Sequence, residues 1–141
     1  FGLPAAIGAK LGAPEREVIC VVGDGGFQMT IQELGTIFQS QIDVKILVLN
    51  NEFLGMVRQW QELFFDRRYS FTEMVNPDFQ TIAKGYHIET ERVEKREYLE
   101  DALNRFLNHK GSYLLEVMVG KENNVFPMIP TGCCVSEVRL K

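Results

Sequence analysis

The sequence predicts a three-layer α/β domain, in which a mostly parallel sheet carries helices on both faces. Apolar runs of strand length alternate with segments of helical periodicity through most of the 141 residues. No hairpin signal separates consecutive strands, so each connection is expected to cross over through a helix, which makes the strands parallel. A chain of 141 residues also favours a single domain, 1–141.

The strands are predicted from short apolar runs rich in β-branched residues. The run "EVICVVG" at 17–23 has five consecutive apolar residues, which is typical of a strand covered on both faces. "VKILVLN" at 44–50 has the same character. Two later strands are expected at 86–93 ("YHIETERV") and at 112–119 ("SYLLEVMV").

The helices are predicted from apolar periodicity and from residues that favour helix ends. Pro4 suits the first turn of an opening helix that continues through Leu11. Thr30 and Glu33 form a capping-box pattern at the start of an amphipathic helix over roughly 30–40. Further helices are expected at 53–65 and at 95–109. A short helix is expected around Phe79, Ile82 and Ala83, with Asn76 as its N-cap and Pro77 in its first turn. Segments without periodicity are 66–76, a candidate mobile loop, and 121–141, an irregular tail.

The composition excludes two broad classes of function. A net charge of -4, with no run of basic residues, argues against a nucleic-acid surface. No apolar stretch approaches the roughly 20 residues needed to span a bilayer. Cys20, Cys133 and Cys134 show neither metal-ligand spacing nor a disulfide framework, so we expect a reducing cytoplasm and a buried Cys20. The sequence opens at Phe1 without an initiator Met, and we expect a piece of a longer protein.

Two polar motifs follow the first two predicted strands. In "VVGDGGF" a carboxylate, Asp24, stands among glycines, and in "VLNNEFLGM" Asn51 ends a second apolar run. If the two strands are neighbours, both side chains offer oxygen to one Mg²⁺ ion at the carboxyl edge of the sheet. Gly25 and Gly26 would let the backbone approach phosphates. Each motif alone is a common turn signal, but together they predict a metal–diphosphate site.

The spacing of "GDGGF" and "NN" resembles the signature of thiamine-diphosphate-dependent enzymes. The longer run "LNNEFLGMVRQWQELFFDRRYS", with "NPDF", "FGLPAAIGAKLGAP" and "FPMIPTG", is similar to the large catalytic subunits of the acetolactate (acetohydroxyacid) synthase family. The resemblance implies thiamine diphosphate and Mg²⁺ as cofactors and the diphosphate-binding domain as the fold. It also allows FAD in the full-length enzyme, outside this chain.

The resemblance also implies roles for individual residues. Position 26 is serine in many relatives, so Gly26 can contribute only its backbone. The implied metal ligands are the side chains of Asp24 and Asn51 and the backbone carbonyl of Phe53. The implied cofactor contacts are Gly23, Gly25, Gly26, Gly55 and Met56, and Trp60 is implied to shape the pocket of the second substrate.

The implied reaction belongs to branched-chain amino-acid biosynthesis. It joins two pyruvates to give 2-acetolactate, or pyruvate and 2-ketobutyrate to give 2-aceto-2-hydroxybutyrate, with loss of CO2. The activating glutamate would lie in the pyrimidine-binding domain of a partner subunit, so no residue here receives a catalytic role. We therefore expect little activity from the isolated chain, a homodimer, missing domains of the same chain, and an optional regulatory small subunit.

Other interpretations of the same residues stay open. Met56, Val57 and Trp60 share one face of the 53–65 helix, and periodicity alone predicts core positions for them. The function could belong to another thiamine-diphosphate-dependent decarboxylase, oxidase or carboligase, or to a noncatalytic receiver-like domain that binds a phosphorylated ligand. Solvent, loop or helix-end positions are expected for His87, His109, Arg67 and Arg68.

Overall fold

A computed structural model describes residues 1–140, which contain a four-stranded parallel sheet. All three pairings between neighbouring strands are parallel, and the order across the sheet is β1-β2-β4-β3. The strands are β1 (Ile19–Gly23), β2 (Lys45–Asn50), β3 (Glu89–Val93) and β4 (Tyr113–Met118). The sheet is parallel because each strand reaches the next through a helical crossover, as the absence of hairpin signals predicted.

Helices lie on both faces of this sheet, which confirms the predicted α/β class. Four helices bury apolar side chains on the first face, and one packs on the second face against β3 and β4. The helices on the first face are α1 (Gly2–Gly12), α2 (Asp24–Gln28), α3 (Leu34–Ser40) and α5 (Phe79–Gly85). Helix α6 (Leu99–Asn108) covers the second face, and α4 (Gly55–Phe64) lies beyond the carboxyl ends of β1 and β2.

The larger apolar core lies between the first face and its helices. Phe27 of α2 and Phe79 of α5 are fully buried and meet edge to face, with ring centroids 5.2 Å apart. Cys20 is buried in the same core, and burial raises the pKa of its thiol. On the second face, Phe106 of α6 meets Tyr113 of β4 edge to face at 5.7 Å.

The second face is covered unevenly. Helix α6 packs on β3 and β4, whereas Val21 of β1 keeps 59% of its surface exposed. Leu49 of β2 and Val119 after β4 are also exposed apolar residues, and all three line one cavity. An exposed apolar surface of this kind marks a place where a ligand or another protein segment can bind and cover it.

Two predicted helix caps are wrong. The Thr30 hydroxyl donates to the carbonyl of Gly26 at 3.5 Å, and Glu33 accepts from the Thr36 hydroxyl at 2.7 Å, so no capping box forms. Residues 31–33 form a 3₁₀ turn. Helix α2 ends just before this turn, and the Thr30 hydroxyl bonds back to Gly26 of α2 instead of capping a new helix. The α-helix begins only at Leu34.

Helix α5 is capped by Asp78 instead of Asn76. The Asp78 carboxylate accepts from the Thr81 backbone N–H at 2.9 Å and from its hydroxyl at 2.7 Å. The Thr81 N–H, followed by the hydroxyl, holds the pKa of the Asp78 carboxyl below its usual value. Asn76 turns away from α5 and toward the carboxyl ends of β1 and β2.

Helix α4 buries its polar side and exposes its apolar side. Arg58 and Gln59 are buried, whereas Met56 and Val57 are 52% and 47% exposed. The Gln59 amide exchanges two hydrogen bonds with the backbone of Val125, donating at 3.0 Å and accepting at 2.7 Å. The core positions predicted for Met56 and Val57 from periodicity are therefore wrong, because polar contacts with residues 121–125 hold the helix.

Smaller differences concern the strand ends and the histidines. β3 begins at Glu89 instead of 86, because α5 continues through Gly85 and His87 takes a left-handed conformation with φ 57°. His87 is exposed, and His109 lies at the C-terminal end of α6, as expected.

Among residues 1–140, no helix combines the length and the apolar character needed to cross a bilayer.

We expect the Phe27–Phe79 contact to carry a large part of the stability. Phe79→Ala should lower the free energy of unfolding by about 3–5 kcal/mol, because it leaves a cavity in the main core. Phe71→Ala is the matched control: Phe71 is fully exposed, so its loss should change stability by about 0.5 kcal/mol or less. Urea unfolding monitored by circular dichroism measures both values. Similar values for the two variants would contradict this core.

Candidate functional site

The pairing of β1 and β2 brings the two polar motifs together. Gly23 at the end of β1 stands opposite Leu49 of β2 in a parallel register. Asp24 and Asn50 therefore leave the sheet side by side at the same edge, the one at which open α/β sheets bind ligands. The neighbouring strands that the metal hypothesis required are thus present.

Asp24 is almost completely buried, with 2% of its surface exposed. Its Oδ2 accepts two hydrogen bonds, from the Glu52 backbone N–H at 3.0 Å and from Asn76 Nδ2 at 2.7 Å. Among the described residues, no donor reaches Oδ1. One oxygen is therefore fixed by the protein, and the other is left for a further partner.

Residues 51–53 form a tight turn after β2. Asn51 Oδ1 accepts from the Phe53 N–H at 3.1 Å, and Glu52 takes a left-handed conformation with φ 59°. The segment 72–74 holds this turn from outside: the Leu54 N–H donates to Thr72 and the Met74 N–H donates to Glu52, both at 2.8 Å. Within residues 1–140 no donor reaches the Phe53 carbonyl oxygen, so this oxygen is available to a ligand.

A cavity of about 610 Å³ opens where these elements meet. A volume of this size suits a small organic ligand or cofactor. Its walls are largely apolar, through residues such as Val21, Leu49 and Val57. All of the metal and cofactor residues implied by the sequence line this one cavity: Gly23, Asp24, Gly25, Gly26, Asn51, Phe53, Gly55 and Met56.

The two glycines after Asp24 lie in the first turn of α2 and play different parts. A Cβ at position 25 would come within 2.7 Å of Leu54 Cδ2 and 3.1 Å of Met74 Sδ, so Gly25 allows α2 to pack against the turn. A Cβ at Gly26 would be 3.3 Å from Val22 Cγ2. Gly23 has no atom within 4 Å of its Cβ position, so it borders open space. First-turn backbone N–H groups such as that of Gly25 lack helical partners.

Trp60 is the one implied site residue that lies elsewhere. It lies on α4 one turn after Met56, and its ring packs against Phe64 at a tilt of 34°, with centroids 4.7 Å apart. Within the described part of the chain, the lining of the 610 Å³ cavity does not include Trp60. The structure therefore separates the implied second-substrate residue from the implied metal and cofactor residues.

Sequence reasoning missed the side chains that support Asp24. Asn76, predicted as a helix cap, joins Asp24 to Asn50 through hydrogen bonds of 2.7 and 3.0 Å. Asn50 in turn donates to Glu116 of β4 at 2.6 Å. A carboxylate within the apolar strand "SYLLEVMV" was the available signal, since a buried charge needs hydrogen-bonding partners.

Comparison with known proteins agrees with this geometry. Residues 1–117 match the family model for the thiamine pyrophosphate enzyme, C-terminal TPP binding domain. The acetolactate synthase isozyme 2 large subunit of Escherichia coli strain K12 is 46% identical over 139 residues, which cover 98% of this chain and 25% of that protein. The mitochondrial acetolactate synthase of Schizosaccharomyces pombe is 51% identical over 132 residues, 94% of this chain and 20% of that protein.

The mitochondrial acetolactate synthase catalytic subunit of Saccharomyces cerevisiae is 47% identical over 137 residues, again 20% of its length. The chain thus spans a fifth to a quarter of the length of these relatives. The family model covers the glycine motif, the turn after β2 and all of the sheet except the last residue of β4. The chain belongs to the family of C-terminal thiamine pyrophosphate-binding domains of thiamine pyrophosphate enzymes.

Proposed function

We propose that this chain is the diphosphate- and Mg²⁺-binding domain of an acetolactate synthase. The enzyme would join two pyruvates, or pyruvate and 2-ketobutyrate, to 2-acetolactate or 2-aceto-2-hydroxybutyrate with loss of CO2. The observation that carries the proposal is the pair of available oxygens, Asp24 Oδ1 and the Phe53 carbonyl, on one cavity. The relatives named above, which are acetolactate synthases, support the choice of reaction.

The donor set fits Mg²⁺. Asp24 offers a carboxylate oxygen, Asn51 an amide oxygen with a second lone pair, and Phe53 a backbone carbonyl. These are hard ligands, and Mg²⁺ completes its octahedron with waters and phosphate oxygens. In the part of the chain that the structure describes, no three His, Cys, Asp or Glu side chains form a metal-holding group. Such a sparse protein set suits an ion that is shared with a bound diphosphate.

The cavity also fits thiamine diphosphate. Gly23, Gly25 and Gly26 would border the diphosphate without side chains in the way. Gly55 and Met56, the first residues of α4, line the same cavity. The apolar wall that includes Val21 would exclude water from the bound ring. When bound, the thiazolium ring supplies the electron sink that decarboxylation of a 2-keto acid needs.

Helix α4 would link the cofactor to the second substrate. Met56 faces the cavity, and Trp60 follows at i+4, so both lie on one side of the helix. We propose that Met56 supports the cofactor and that Trp60 shapes a pocket that favours 2-ketobutyrate. Trp60 would then act on a substrate held beyond the cavity, not on the cofactor within it.

The complete enzyme needs more protein than this chain. The activating glutamate is proposed to come from the pyrimidine-binding domain of a partner subunit in a homodimer, with a regulatory small subunit as a further partner. The exposed apolar side chains of Val21, Met56 and Val57 support this, because additional protein would cover them. FAD, if present, would bind outside this chain. The reducing cytoplasm is the proposed compartment, consistent with three free cysteines.

We expect Asp24→Asn to abolish Mg²⁺-dependent binding of thiamine diphosphate. The change keeps the shape but removes the anionic ligand, so affinity should fall by more than the roughly 10–100-fold typical of residues that only support a metal ligand. Isothermal titration calorimetry of the 141-residue chain, with and without Mg²⁺, measures it. Asp101→Asn, on the exposed side of α6, is the matched control and should bind as the wild type does. Equal affinity in both variants would point to a noncatalytic or differently built site.

A chimera tests the proposed reaction. The matching part of the E. coli isozyme 2 large subunit is replaced by this chain, and product formation is compared with that of the isolated chain. The chimera should form 2-acetolactate from pyruvate, and the isolated chain should show little or no activity, because it lacks the activating glutamate. Trp60→Leu in the chimera should lower the share of 2-aceto-2-hydroxybutyrate when pyruvate and 2-ketobutyrate compete.

Three results would each contradict one of these expectations. A chimera that folds and binds thiamine diphosphate but converts neither keto acid would exclude the proposed substrates. An isolated chain that works as fast as the chimera would exclude the need for a partner domain. An unchanged product ratio in Trp60→Leu would remove the substrate role of Trp60 alone.

A further inference from the structure

A line of hydrogen-bonded polar side chains runs from Asp24 to the two middle strands of the sheet. Its members are Asn76, Asn50, Glu116 and Gln80. Asn50 and Glu116 are each only 2% exposed, on β2 and β4, and Gln80 reaches Glu116 from α5. Each of these side chains forms at least one hydrogen bond with another member, so their donors and acceptors are ordered relative to one another.

Glu116 sets the direction of the first link. Both oxygens of the Glu116 carboxyl group accept hydrogen bonds, one from Asn50 Nδ2 at 2.6 Å and one from Gln80 Nε2. The amino side of the Asn50 amide must therefore face β4. Its carbonyl side is thereby turned toward the cavity edge, where Oδ1 accepts from the Glu52 N–H and from Asn76 Nδ2, both at 3.0 Å.

The orientation of the Asn50 amide in turn fixes the orientation of the Asn76 amide. Because Asn50 presents an acceptor, Asn76 must present its amino group, and the same Nδ2 donates to Asp24 Oδ2 at 2.7 Å. Gln28 fixes the other end, since its Nε2 donates to Asn76 Oδ1 at 2.9 Å. A reversed Asn76 amide would set two oxygens against each other at both Asn50 and Asp24. Each amide is thus held in the orientation that offers Asp24 a donor.

We propose that Asn76 and Glu116 are positioning residues for the metal-binding carboxylate of Asp24. Glu116 fixes the orientation of the Asn50 amide, Asn50 fixes Asn76, and Asn76 holds Oδ2 so that Oδ1 stays free for the ion. This inference rests on the proposed Mg²⁺ site and deepens it. Glu116 lies in a different strand and acts only through the two asparagines.

The location of Glu116 supports a positioning role over a general stabilising one. A carboxylate buried under an apolar helix layer is unfavourable unless it is fully hydrogen-bonded, and an apolar residue would suit the strand better. Leu114, two residues earlier on the same face of β4, is apolar and fully buried in the first core cluster. The carboxylate offers two acceptor oxygens, one for Asn50 and one for Gln80, whereas an amide at that position would offer one oxygen and one NH₂ donor.

The test uses single variants, matched controls and an exchanged pair in the 141-residue chain. Glu116→Gln removes the strict acceptor at constant shape, and Asn76→Ala removes the donor to Asp24. The controls are Glu100→Gln and Asn104→Ala, both on exposed positions of α6. The double variant Gln80→Glu with Glu116→Gln moves the carboxylate to α5, so that the amide at position 116 donates to α5 and again presents its oxygen to Asn50.

The readouts are the Mg²⁺ affinity in the presence of thiamine diphosphate, by calorimetry, and the side-chain amide signals of Asn50 and Asn76 in the metal-free chain, by ¹⁵N NMR. We expect about 10–100-fold weaker Mg²⁺ binding in Glu116→Gln and Asn76→Ala, wild-type affinity in the controls, and recovery in the exchanged pair. The Asn76 amide signals should shift in Glu116→Gln and return in the exchanged pair.

Each other result has a definite meaning. Wild-type Mg²⁺ affinity in both single variants overturns the inference and leaves the proposed function standing. If the exchanged pair folds but binds Mg²⁺ as weakly as Glu116→Gln, the directional role of Glu116 is overturned. If Glu116→Gln does not fold, the exchanged pair is compared with the wild type, and weak Mg²⁺ binding in it has the same meaning. A wild-type chain without Mg²⁺-dependent binding overturns the proposed function and this inference together.

Discussion

The parallel register between β1 and β2 is the constraint on which the whole site depends. Because Gly23 stands opposite Leu49, the chain delivers Asp24 and the Asn51 turn to the same point at the sheet edge. The Glu52 N–H then bonds directly to the Asp24 carboxylate at 3.0 Å. A shift of one residue would move every β2 side chain to the opposite face and place apolar residues at this edge. Two common turn motifs become a site only through this pairing.

Helix α4 shows how packing and function compete for the same surface. An amphipathic helix normally buries its apolar face, but Arg58 and Gln59 hold α4 by its polar face instead. Arg58 donates to the Lys121 carbonyl at 3.2 Å and to Glu122 at 2.9 Å, while Gln59 pairs with the backbone of Val125. Met56 is therefore free to line the cavity. The apolar side chains of Met56 and Val57 stay about half exposed, at 52% and 47%.

The fold class could be predicted because strands and crossover helices leave strong local signals. The apolar runs around Cys20 and Ile46 identified β1 and β2, and the missing hairpin signals predicted that they are parallel. Helix ends were harder: Thr30, Asn76 and Asp78 are all good capping residues, and only the three-dimensional contacts decide which of them caps. The inverted packing of α4 was also beyond local sequence, because its partner, Val125, lies far along the chain.

The residues of the candidate site divide in the same way. Asp24 and Asn51 could be proposed because their types and positions after strands suggest oxygen ligands. Asn76, Asn50 and Glu116 could not, because their importance lies in hydrogen bonds that join α5, β2 and β4. Strand periodicity predicts that position 116 faces inward but does not say which partner its carboxylate finds.

The most direct measurement is a crystal structure of this chain with Mn²⁺ and thiamine diphosphate, in which anomalous scattering locates the ion. We predict one ion bound by Asp24 Oδ1, Asn51 Oδ1 and the Phe53 carbonyl, with the diphosphate in the cavity beside Gly25. Asp24 Oδ2 should keep its bonds to Glu52 and Asn76. A diphosphate bound without an ion at Asp24, or an ion held by other residues, would contradict the account.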